Sequence, residues 1–533
     1  MMTPVKLSDA LPPCVVFEDE HLLLVNKPPG WNTHSPAPFA GEGIYDWLRH
    51  REPRWASLAI VHRLDKETSG LLVFGKTPLA NRSLTEQFTK REVEKTYLLV
   101  TDRPVRQEAW TTESEIRRAG DHYVACPKGQ GGEPAETRFR VVRREGERVW
   151  IEAKPVTGRT HQIRVHAASE GLPILGDTLY GGSDFPRVCL HAAQLSFRHP
   201  AAGAEMPVFQ CGANFEGEPH EVMRDAFIVK LETDAFRRRH GAADDQPGLY
   251  ADQLGKFVLT QGERPPTPAE ISSLASSGLY HKTLLRHVRQ TTTAETSPQP
   301  VAGELAPERF VVHENEVAYE LSFAEGYSVG LFLDQRDNRR RLLANHVAAG
   351  FPLFPEVAAG REVLNCFAYT CAFSVCGALG GARVTSLDLS RKYLDWGRRN
   401  FALNGLDPAA HDFIFGDVFD WLRRLGKKGR QFDAVLLDPP TFSRSKEHGE
   451  FRAANDYGEL VTQALRVLKH QGVLFASTNA AGLAPEKFLA QVHEAIVGAG
   501  RRVVREHYVP QPPDFPISRD EPAYLKTVWL RIA

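Results

Sequence analysis

The sequence lacks several features that would assign it to a class at once. Its seven cysteines are scattered, without a Cys-x-x-Cys pair or a zinc-ligand spacing, so neither a disulfide framework nor a zinc site is predicted. No apolar run approaches the length of a membrane span. The opening residues, MMTPVKLSDALPPC, carry no apolar segment typical of a signal peptide. We therefore expect a protein of the reducing cytoplasm.

The sequence also lacks an excess of charge of either sign. Its 65 Lys and Arg residues balance 66 Asp and Glu residues, for a formal charge of −1. A nucleic-acid enzyme of this composition needs a basic track near its site rather than a basic surface overall. Short basic clusters that could serve lie at 237–239, 339–341, 398–399 and 501–502.

The length of 533 residues predicts two to four domains. Residues 14–215 show strand-like apolar runs separated by turns, and this pattern weakens from 213 to 232. A small mixed α/β module is expected over 229–305, with a Thr- and Pro-rich linker at 291–308. From 309 to 533, a strand pair precedes short apolar runs that alternate with helical patterns, which indicates a parallel sheet of the Rossmann-like α/β class.

One helix of this last region has clear ends. Ser390 is a candidate N-cap, and Gly405 is a candidate for the residue just past the last turn. Leu394, Gly397 and Phe401 lie between them at the spacing of one helical face.

The run VHRLDKETSG, residues 61–70, places charged and hydroxyl side chains between the apolar segments SLAI and LLVFG. An Asp with Arg and Lys nearby forms either a simple turn or a carboxylate that is held in place to react. On local composition alone, the turn is the more common outcome.

The C-terminal region carries acidic residues where its predicted strands end. In parallel α/β sheets, ligands bind at the carboxyl ends of the strands. Asp388 lies about twenty residues past the first turn, where an acid can bind ribose hydroxyls or simply begin a helix. The first turn, CFAYTCAF, lacks the glycines that a dinucleotide pyrophosphate requires. S-adenosylmethionine has an adenosine but no phosphate, so it is the cofactor that we predict.

Three motifs make this half specific: LLDPPTFSRSK, GLFLDQRDNRRRL at 330–342 and VLNCFAYTCAFS at 363–374. With them, residues 229–533 resemble the class I methyltransferases of bacterial large-subunit ribosomal RNA, the relatives of RlmI and of the RlmK half of a fused enzyme. The resemblance implies a donor site whose methionine end is lined by Asn365, Phe367 and Tyr369, with Asp388 at the ribose, Asp417 at the adenine, Pro439 beside the donor, and Asp334 and Arg336 closing over it. It also implies a substrate side with Asp438 as the catalytic residue and Phe442 against RNA. Cys371 stands where many relatives have Gly, and we expect its side chain to narrow the donor pocket.

The base that is methylated can be partly predicted. Methylating carbon 5 of cytosine needs a nucleophile, normally a Cys. The last cysteine is Cys376, and none occurs in DPPTFSRSK or in FASTNAAG at 475–482. Cytosine is therefore disfavoured unless Cys366, Cys371 or Cys376 were used. Nitrogen 7 of guanine is preferred, an exocyclic amine is second, and a substrate other than RNA stays open.

Six motifs in the N-terminal half fall in the order and spacing of RluA-type pseudouridine synthases, and residues 14–212 resemble that family. They are VNKPPGW, HRLDKETSG, KTYLLV, TGRTHQIRVH, PILGDTLYG and LHAAQLSFRHP. The resemblance implies an α+β fold with a mixed, mainly antiparallel sheet, and chemistry that needs neither cofactor nor metal. It implies Asp65 as the reactive carboxylate and Arg164 as the partner that holds its pKa low. Three further roles follow: Tyr97 stacking on the uracil, Ile163 packing beneath it, and Arg63 filling the gap left by a flipped nucleotide.

His161 and His166 are the remaining metal candidates in this half. We place them in a strand, where an odd spacing puts them on opposite faces, so no metal is expected. The whole pattern predicts a bifunctional RNA-modifying enzyme that forms pseudouridine in rRNA or tRNA and methylates an RNA base. The alternative is a chain with one catalytic half and one half that only binds RNA.

Overall fold

The computed structural model describes residues 10–41, 43–274, 276–284, 296–326, 328–355, 360–445 and 449–533. Three principal sheets follow one another along the chain. Among the described residues, no helix is both long enough and apolar enough to cross a membrane.

The first sheet has eleven strands, and its order is β1-β2-β4-β10-β5-β9-β8-β6-β7, with β3 paired to β4 and β11 to β10. The pairings are antiparallel except for β4 with β10. This agrees with the predicted mixed, mainly antiparallel sheet. The strands are β1 Val15–Glu18, β2 Leu22–Lys27, β3 Ala59–Ile60, β4 Ser69–Gly75, β5 Glu94–Thr101, β6 Ala109–Ala119, β7 His122–Cys126, β8 Glu133–Glu145, β9 Arg148–Pro155, β10 Leu190–Ser196 and β11 Phe209–Gln210.

Four helices accompany this sheet: α1 Ile44–Arg49, α2 Pro78–Thr89, α3 Gln162–Ser169 and α4 Pro219–Phe227. The strand predicted around His161 and His166 is wrong, because α3 begins directly after His161. His166 is buried and its ring nitrogens contact the hydroxyls of Thr137 at 2.8 Å and Ser114 at 3.0 Å. These hydroxyl contacts give His166 a structural explanation, and no group of three or more metal-ligating side chains occurs within the described residues.

The second sheet has five strands in sequence order: β12 Ala235–His240, β13 Tyr250–Leu254, β14 Phe257–Gly262, β15 Gly278–Thr283 and β16 Gln299–Gly303. Helix α5, Pro268–Ser273, connects β14 to β15, which are parallel. Of the linker predicted at 291–308, residues 291–295 lie outside the described residues, and β16 occupies part of the rest.

The third sheet has seven strands in the order β23-β22-β21-β24-β27-β29-β28. The first five are parallel, as predicted, and β29 is antiparallel to both of its neighbours. These strands are β21 Glu362–Cys366, β22 Arg383–Asp388, β23 Asp412–Phe415, β24 Phe432–Leu437, β27 Leu468–Thr478, β28 Val503–Val509 and β29 Lys526–Ile532. Three two-stranded sheets pair β17 Phe310–Glu314 with β18 Val317–Leu321, β19 His346–Ala348 with β20 Phe351–Pro352, and β25 Phe442–Ser445 with β26 Gly449–Arg452.

Alternate side chains of a strand point to opposite faces of the sheet. In the third sheet both faces are apolar, and helices cover each of them. In β24, Ala434 and Leu436 join one apolar cluster, whereas Val435 and Leu437 join the other. The helices are α6 Arg336–Leu343, α7 Ala372–Leu379, α8 Arg391–Leu403, α9 Val418–Lys427, α10 Ala453–Leu465 and α11 Pro485–Gly498.

Helix α8 has the predicted ends. The Ser390 hydroxyl accepts a hydrogen bond from the Tyr393 amide at 3.3 Å, and Gly405 adopts the left-handed conformation with φ of 69°. Leu394, Gly397 and Phe401 are buried, as their spacing predicted.

The first and third sheets are joined by direct contacts between α1 with its following turn and α6. The Trp47 indole donates a hydrogen bond to Asp337 at 3.3 Å. Arg340 donates to the Arg51 carbonyl at 2.9 Å and forms an ion pair with Glu52. Helix α6 therefore lies between the two halves of the chain.

Candidate active sites

The loop that carries Asp65 runs from β3 to β4 and is held on both sides of Asp65. The ammonium group of Lys27, fully buried at the end of β2, donates to the main-chain oxygens of Pro28, Trp31 and Lys66 at 3.0, 2.6 and 3.1 Å. Thr33 bonds through its hydroxyl to both the amide and the carbonyl of Leu64. The backbone beside Asp65 is thus fixed, although the Asp65 side chain remains 26% exposed.

Gly70 allows this loop to enter the sheet. Its φ is 116°, and a Cβ there would lie 2.4 Å from the carbonyl oxygen of Ala192. Only glycine tolerates both the conformation and the contact with β10.

Arg164 does not have Asp65 as its main partner, contrary to the prediction. Its guanidinium binds both carboxylate oxygens of buried Asp177, at 2.7 and 2.8 Å, and lies 3.1 Å from Glu67. The distance to the Asp65 carboxylate is 3.9 Å. Asp177 fixes the orientation of Arg164, so that the remaining guanidinium nitrogen faces the two carboxylates of the loop.

The predicted lowering of the Asp65 pKa is also wrong. Burial raises the pKa of this carboxyl, and the Glu67 charge adds to the effect. His161, Arg164 and Lys27 act in the opposite direction without overcoming it. The site therefore holds a carboxylate that is more basic than an ordinary Asp.

Tyr97 and Ile163 pack in the same apolar cluster beside this loop. Tyr97 lies on β5 between Ala153 and Ala192 of the neighbouring strands and is partly buried. Burial, together with the Asp65 charge, raises the pKa of the Tyr97 phenol, so it stays protonated. Arg63 is exposed on the Asp65 loop, as a group that contacts RNA must be.

Sequence reasoning missed four members of this site: Glu67, His161, Asp177 and Tyr180. The His161 ring contacts the Tyr180 hydroxyl at 2.8 Å, and the Arg164 guanidinium lies over the Tyr180 ring at 5.1 Å. Asp177 and Tyr180 belong to the motif PILGDTLYG, so this motif could have identified them as site residues.

In the C-terminal half, Asp438 follows β24, as the DPP motif predicted. The Gln335 amide donates to Asp438 at 3.1 Å and to the Ser477 hydroxyl at 2.8 Å. Burial raises the pKa of Asp438 to about 6, and the nearby Asp334 charge contributes. Gln335 was not among the predicted residues, although it lies between the predicted Asp334 and Arg336.

The turn after β21 has an unusual backbone. Phe367, Tyr369 and Cys371 all adopt positive φ, at 60°, 49° and 63°. Asp388 holds this turn, because its carboxylate accepts the Tyr369 amide and the Ser390 amide, each at 2.8 Å. Burial nevertheless raises the Asp388 pKa. Phe367, Tyr369 and Asp388 are therefore brought together and partly exposed, as a donor site requires.

Asn365 and Asp417 make structural contacts. The Asn365 amide is buried and donates to the Ser374 hydroxyl at 2.9 Å. Asp417 caps α9 by accepting the Asp420 amide at 3.0 Å. Their predicted contacts with the donor stay predictions.

Arg336 forms a buried ion pair within the protein, and its predicted closure over the donor stays a prediction. Its guanidinium forms a buried bidentate pair with Asp514, with one nitrogen–oxygen distance of 2.9 Å. Asp334 accepts the Tyr524 hydroxyl at 2.9 Å, and burial raises its pKa. Gln335, rather than Arg336, reaches Asp438 because consecutive residues of this turn point in different directions.

The Cys371 side chain packs against α8, and its predicted narrowing of the donor pocket stays a prediction. A Cβ at Gly397 would lie 2.3 Å from the Cys371 sulfur, so the thiol fills the space left by the missing side chain on α8. Cys371 is fully buried, and burial raises its pKa to about 12.

Pro439 is buried beside Asp438, and Phe442 begins β25 with 37% of its surface exposed. The Arg452 guanidinium lies 5.2 Å from the Phe442 ring centroid. Cys366 and Cys376 are buried like Cys371, and burial raises the pKa of each. All three thiols of this half are thus inert neutral groups of the core.

Comparison with known proteins assigns both halves. Residues 21–169 match the family model of RNA pseudouridylate synthases, and residues 267–531 match that of S-adenosylmethionine-dependent methyltransferases. The ribosomal RNA large subunit methyltransferase I of Klebsiella pneumoniae is 32% identical over 313 residues, covering 56% of this chain and 74% of that protein. The ribosomal RNA large subunit methyltransferase of Deinococcus radiodurans is 33% identical, covering 56% and 73%.

The chain belongs to the family of ribosomal RNA large subunit methyltransferases. It carries a pseudouridine synthase domain before the methyltransferase, and the latter is S-adenosylmethionine-dependent, as predicted. Two solved structures are also similar. SMU.776, described as a methyltransferase and complexed with SAH, is 28% identical and covers 58% of this chain and 79% of that chain, with a TM-score of 0.49. Human RNA pseudouridylate synthase domain containing 4 is 26% identical and covers 38% and 88%, with a TM-score of 0.31.

Proposed function

We propose that this chain is a bifunctional RNA-modifying enzyme in which both domains are catalytic. The synthase domain isomerises uridine to pseudouridine, and the methyltransferase domain transfers the methyl group of S-adenosylmethionine to a base of large-subunit ribosomal RNA. The observation that carries the proposal is the Asp65 carboxylate, presented on a fixed loop and facing an arginine whose orientation Asp177 sets.

In the synthase domain, Asp65 acts on the glycosidic bond. Pseudouridine formation breaks a carbon–nitrogen bond and remakes the link to carbon, and an ionised carboxylate can attack the sugar or stabilise its developing charge. Arg164, His161 and Lys27 favour the ionised form of Asp65. Protonated Tyr97 packs in the same apolar cluster as Ile163, against which a flipped uracil would stack. Arg63 is exposed on the same loop as Asp65, where it would fill the gap that the flipped nucleotide leaves in the RNA.

In the methyltransferase domain, nitrogen 7 of guanine is the preferred target. A ring nitrogen is already nucleophilic and needs only positioning, whereas carbon 5 of cytosine needs a thiolate. Cys366, Cys371 and Cys376 are buried in the core with raised pKa values, which argues against that route. When bound, S-adenosylmethionine supplies the methyl group. Phe367, Tyr369, Asp388 and Pro439 would hold it, while Asp438 and Phe442 would face the base.

An exocyclic amine is the second candidate. Asp438, with a pKa of about 6 and a hydrogen bond from Gln335, is placed to accept a proton or a hydrogen bond from an amine at neutral pH. We further propose the domain limits 14–215, 229–305 and 309–533, and a cytoplasmic location.

The test uses ribosomal RNA from a strain in which the gene is deleted. This RNA is incubated with the purified chain, with and without S-adenosylmethionine, and its nucleosides are mapped by mass spectrometry. We expect one new pseudouridine in both reactions and one 7-methylguanosine only with the donor. Detection of a base methylated at its exocyclic amine, or of 5-methylcytidine, would show that nitrogen 7 of guanine is not the methylated atom. If one of the two modified nucleosides forms neither in ribosomal RNA nor in transfer RNA, the domain proposed to make it is not catalytic and serves only to bind RNA.

A further inference from the structure

A cleft of about 670 Å³ lies between the synthase and methyltransferase domains. One wall comes from residues 35–41 and from α1 with its following turn, and the other from α6 and the end of β28. Pro36, Pro38 and Tyr508 supply apolar surface, while Arg51, Arg340 and Arg341 supply charge. The cleft contains none of the residues that we place in either active site.

Arg51, from the synthase side, has an unpaired guanidinium within the described part of the chain. It lies over the Trp47 ring at 4.7 Å, and its side chain makes no hydrogen bond or ion pair with any described residue. Its Nε atom is completely buried. Burial lowers the Arg51 pKa to about 10, which still leaves it charged at neutral pH.

Arg341, from the methyltransferase side, is in a similar state. It donates only to the main-chain oxygens of Val347 at 2.9 Å and Asp337 at 2.7 Å, and no described carboxylate lies within ion-pair distance. Arg340, the third arginine of the cleft, differs because Glu52 neutralises it.

The acidic residues of the cleft form contacts with groups other than Arg51 and Arg341, although the Asp337 charge also acts on both arginines. Asp46 accepts the Ser35 amide at 2.6 Å, Asp337 accepts the Trp47 indole, and Glu506 pairs with His493 at 2.7 Å. The His50 ring accepts the Ala349 amide at 3.2 Å, and burial lowers its pKa to about 4, so it is neutral. Among the described residues, Arg51 and Arg341 are therefore the arginines of this cleft that form no ion pair, and the charge of nearby Asp337 favours the charged form of both.

A desolvated guanidinium without an anion is costly, and an anionic ligand removes that cost. Guanidinium groups match phosphate in planar, two-point geometry. We propose that this cleft binds the phosphate backbone of the RNA substrate through Arg51 and Arg341, one from each domain. The proposal rests on the proposed function, because it assumes that RNA is the substrate. The apolar wall suits the sugar and base between two phosphates.

Three variants of the full chain test the proposal: Arg51→Gln, Arg341→Gln and the double substitution. Arg423→Gln is the matched control, because Arg423 is exposed and pairs with Asp420 on α9, outside the cleft. Fluorescence anisotropy with a labelled ribosomal RNA fragment gives Kd at several salt concentrations. Each cleft variant should weaken binding by roughly 3–10-fold and reduce the slope of log Kd against log salt by about one.

Turnover separates this role from catalysis. At saturating RNA, pseudouridine formation and methylation by the cleft variants should keep the wild-type kcat, while KM rises as Kd does. A wild-type Kd and salt slope in the double variant, with its thermal midpoint unchanged, would overturn the proposal.

Inorganic phosphate and a nucleoside monophosphate serve as a second probe. If the double variant loses only their thermal stabilisation and keeps RNA affinity, the ligand is a free phosphate compound and the RNA assignment fails. If wild-type chain binds the fragment through the cleft but forms neither modified nucleoside, the proposed function fails instead.

Discussion

Asp65 illustrates how a single residue depends on neighbours that its own motif does not reveal. The motif predicted a carboxylate, an arginine partner and a low pKa. The arginine is present, but Asp177 engages it and burial raises the Asp65 pKa. Local sequence identifies the reactive group, whereas its electrostatics depend on side chains that the fold brings from about a hundred residues away.

Replacing Asp65 with Asn should abolish pseudouridine formation, by at least about 1000-fold, because the amide cannot attack the sugar. Methylation should keep its wild-type rate, since Asp65 lies outside the methyltransferase domain. Tritium release from uridine labelled at carbon 5 measures the first activity, and methyl transfer from labelled donor measures the second. Tritium release at the wild-type rate would remove Asp65 from the mechanism.

Glu67→Gln is the matched variant on the same loop. The Glu67 charge raises the Asp65 pKa, so its removal should lower that pKa and make Asp65 ionised at lower pH. The acidic limb of the pH–rate profile should therefore move to lower pH, with pseudouridine formation retained. A profile that does not move, or that moves to higher pH, would contradict this coupling.

Asp438 gives a prediction on stability. Its pKa is raised from 3.8 to about 6, so the folded state binds the proton more tightly than the unfolded state. The favourable contribution is present below about pH 4 and is lost as the pH rises through about 6. Asp438→Asn should therefore raise the thermal midpoint at pH 8 by a few degrees and leave it nearly unchanged at pH 4, while methylation falls.

Asp433, on the strand β24 that Asp438 follows, is the control of opposite sign. Burial acts to raise its pKa, but the Glu362 amide and Lys469 outweigh it and hold the pKa below its usual value. Asp433→Asn should lower the midpoint at pH 8 and matter less as the pH falls through the lowered pKa. The same direction of change in both variants at pH 8 would refute the assigned causes.

At the scale of elements, period and capping predicted the long, regular pieces. The parallel strands of the third sheet and both ends of α8 were predicted correctly. The segment QIRVH was not, because five residues with two β-branched side chains fit a strand or a single helical turn equally well. The left-handed backbone of the donor turn has no sequence signal either, because Phe, Tyr and Cys seldom adopt it.

The contact between the donor turn and α8 can be tested with a double-mutant cycle. Gly397→Ala should destabilise the chain by about 1–3 kcal/mol, because its Cβ would collide with the Cys371 sulfur. Cys371→Gly should change stability little, since the left-handed backbone at 371 favours glycine. The double variant should recover most of the loss, as measured by denaturant unfolding and by donor binding. Additive effects would mean that the two residues do not share this space.

At the scale of the whole molecule, sequence indicated the order of the domains but not their contact. Nothing in RDNRRRLL distinguishes a solvated basic helix from one packed between two domains. The structure buries Arg336, Arg339 and Arg340 against partners in three different parts of the chain. Domain limits remain predictions, because the contacts cross them.

Glu52→Gln tests whether the synthase domain supports the methyltransferase. The change leaves Arg340, 10% exposed, without its carboxylate, so we expect a loss of about 1–3 kcal/mol in the methyltransferase unfolding transition. Methyl transfer should fall while pseudouridine formation is kept. Glu86→Gln is the control, because its pair with Lys90 is exposed on both sides and contributes little. Identical calorimetric traces for the two variants would mean that the Glu52–Arg340 ion pair does not stabilise the methyltransferase domain.

Helix α6 has one further consequence, which concerns how such a fusion can evolve. Its start adjoins Gln335 and the Asp438 carboxylate, and its outer face meets Trp47, Arg51 and Glu52 of the synthase. A substitution at 337 or 340 therefore affects the surroundings of the methyltransferase site and the contact with the synthase domain at the same time. In chains that share this fusion, we expect positions 47–52 and 337–340 to change together. Methyltransferases that stand alone should be free to vary at the same positions of α6.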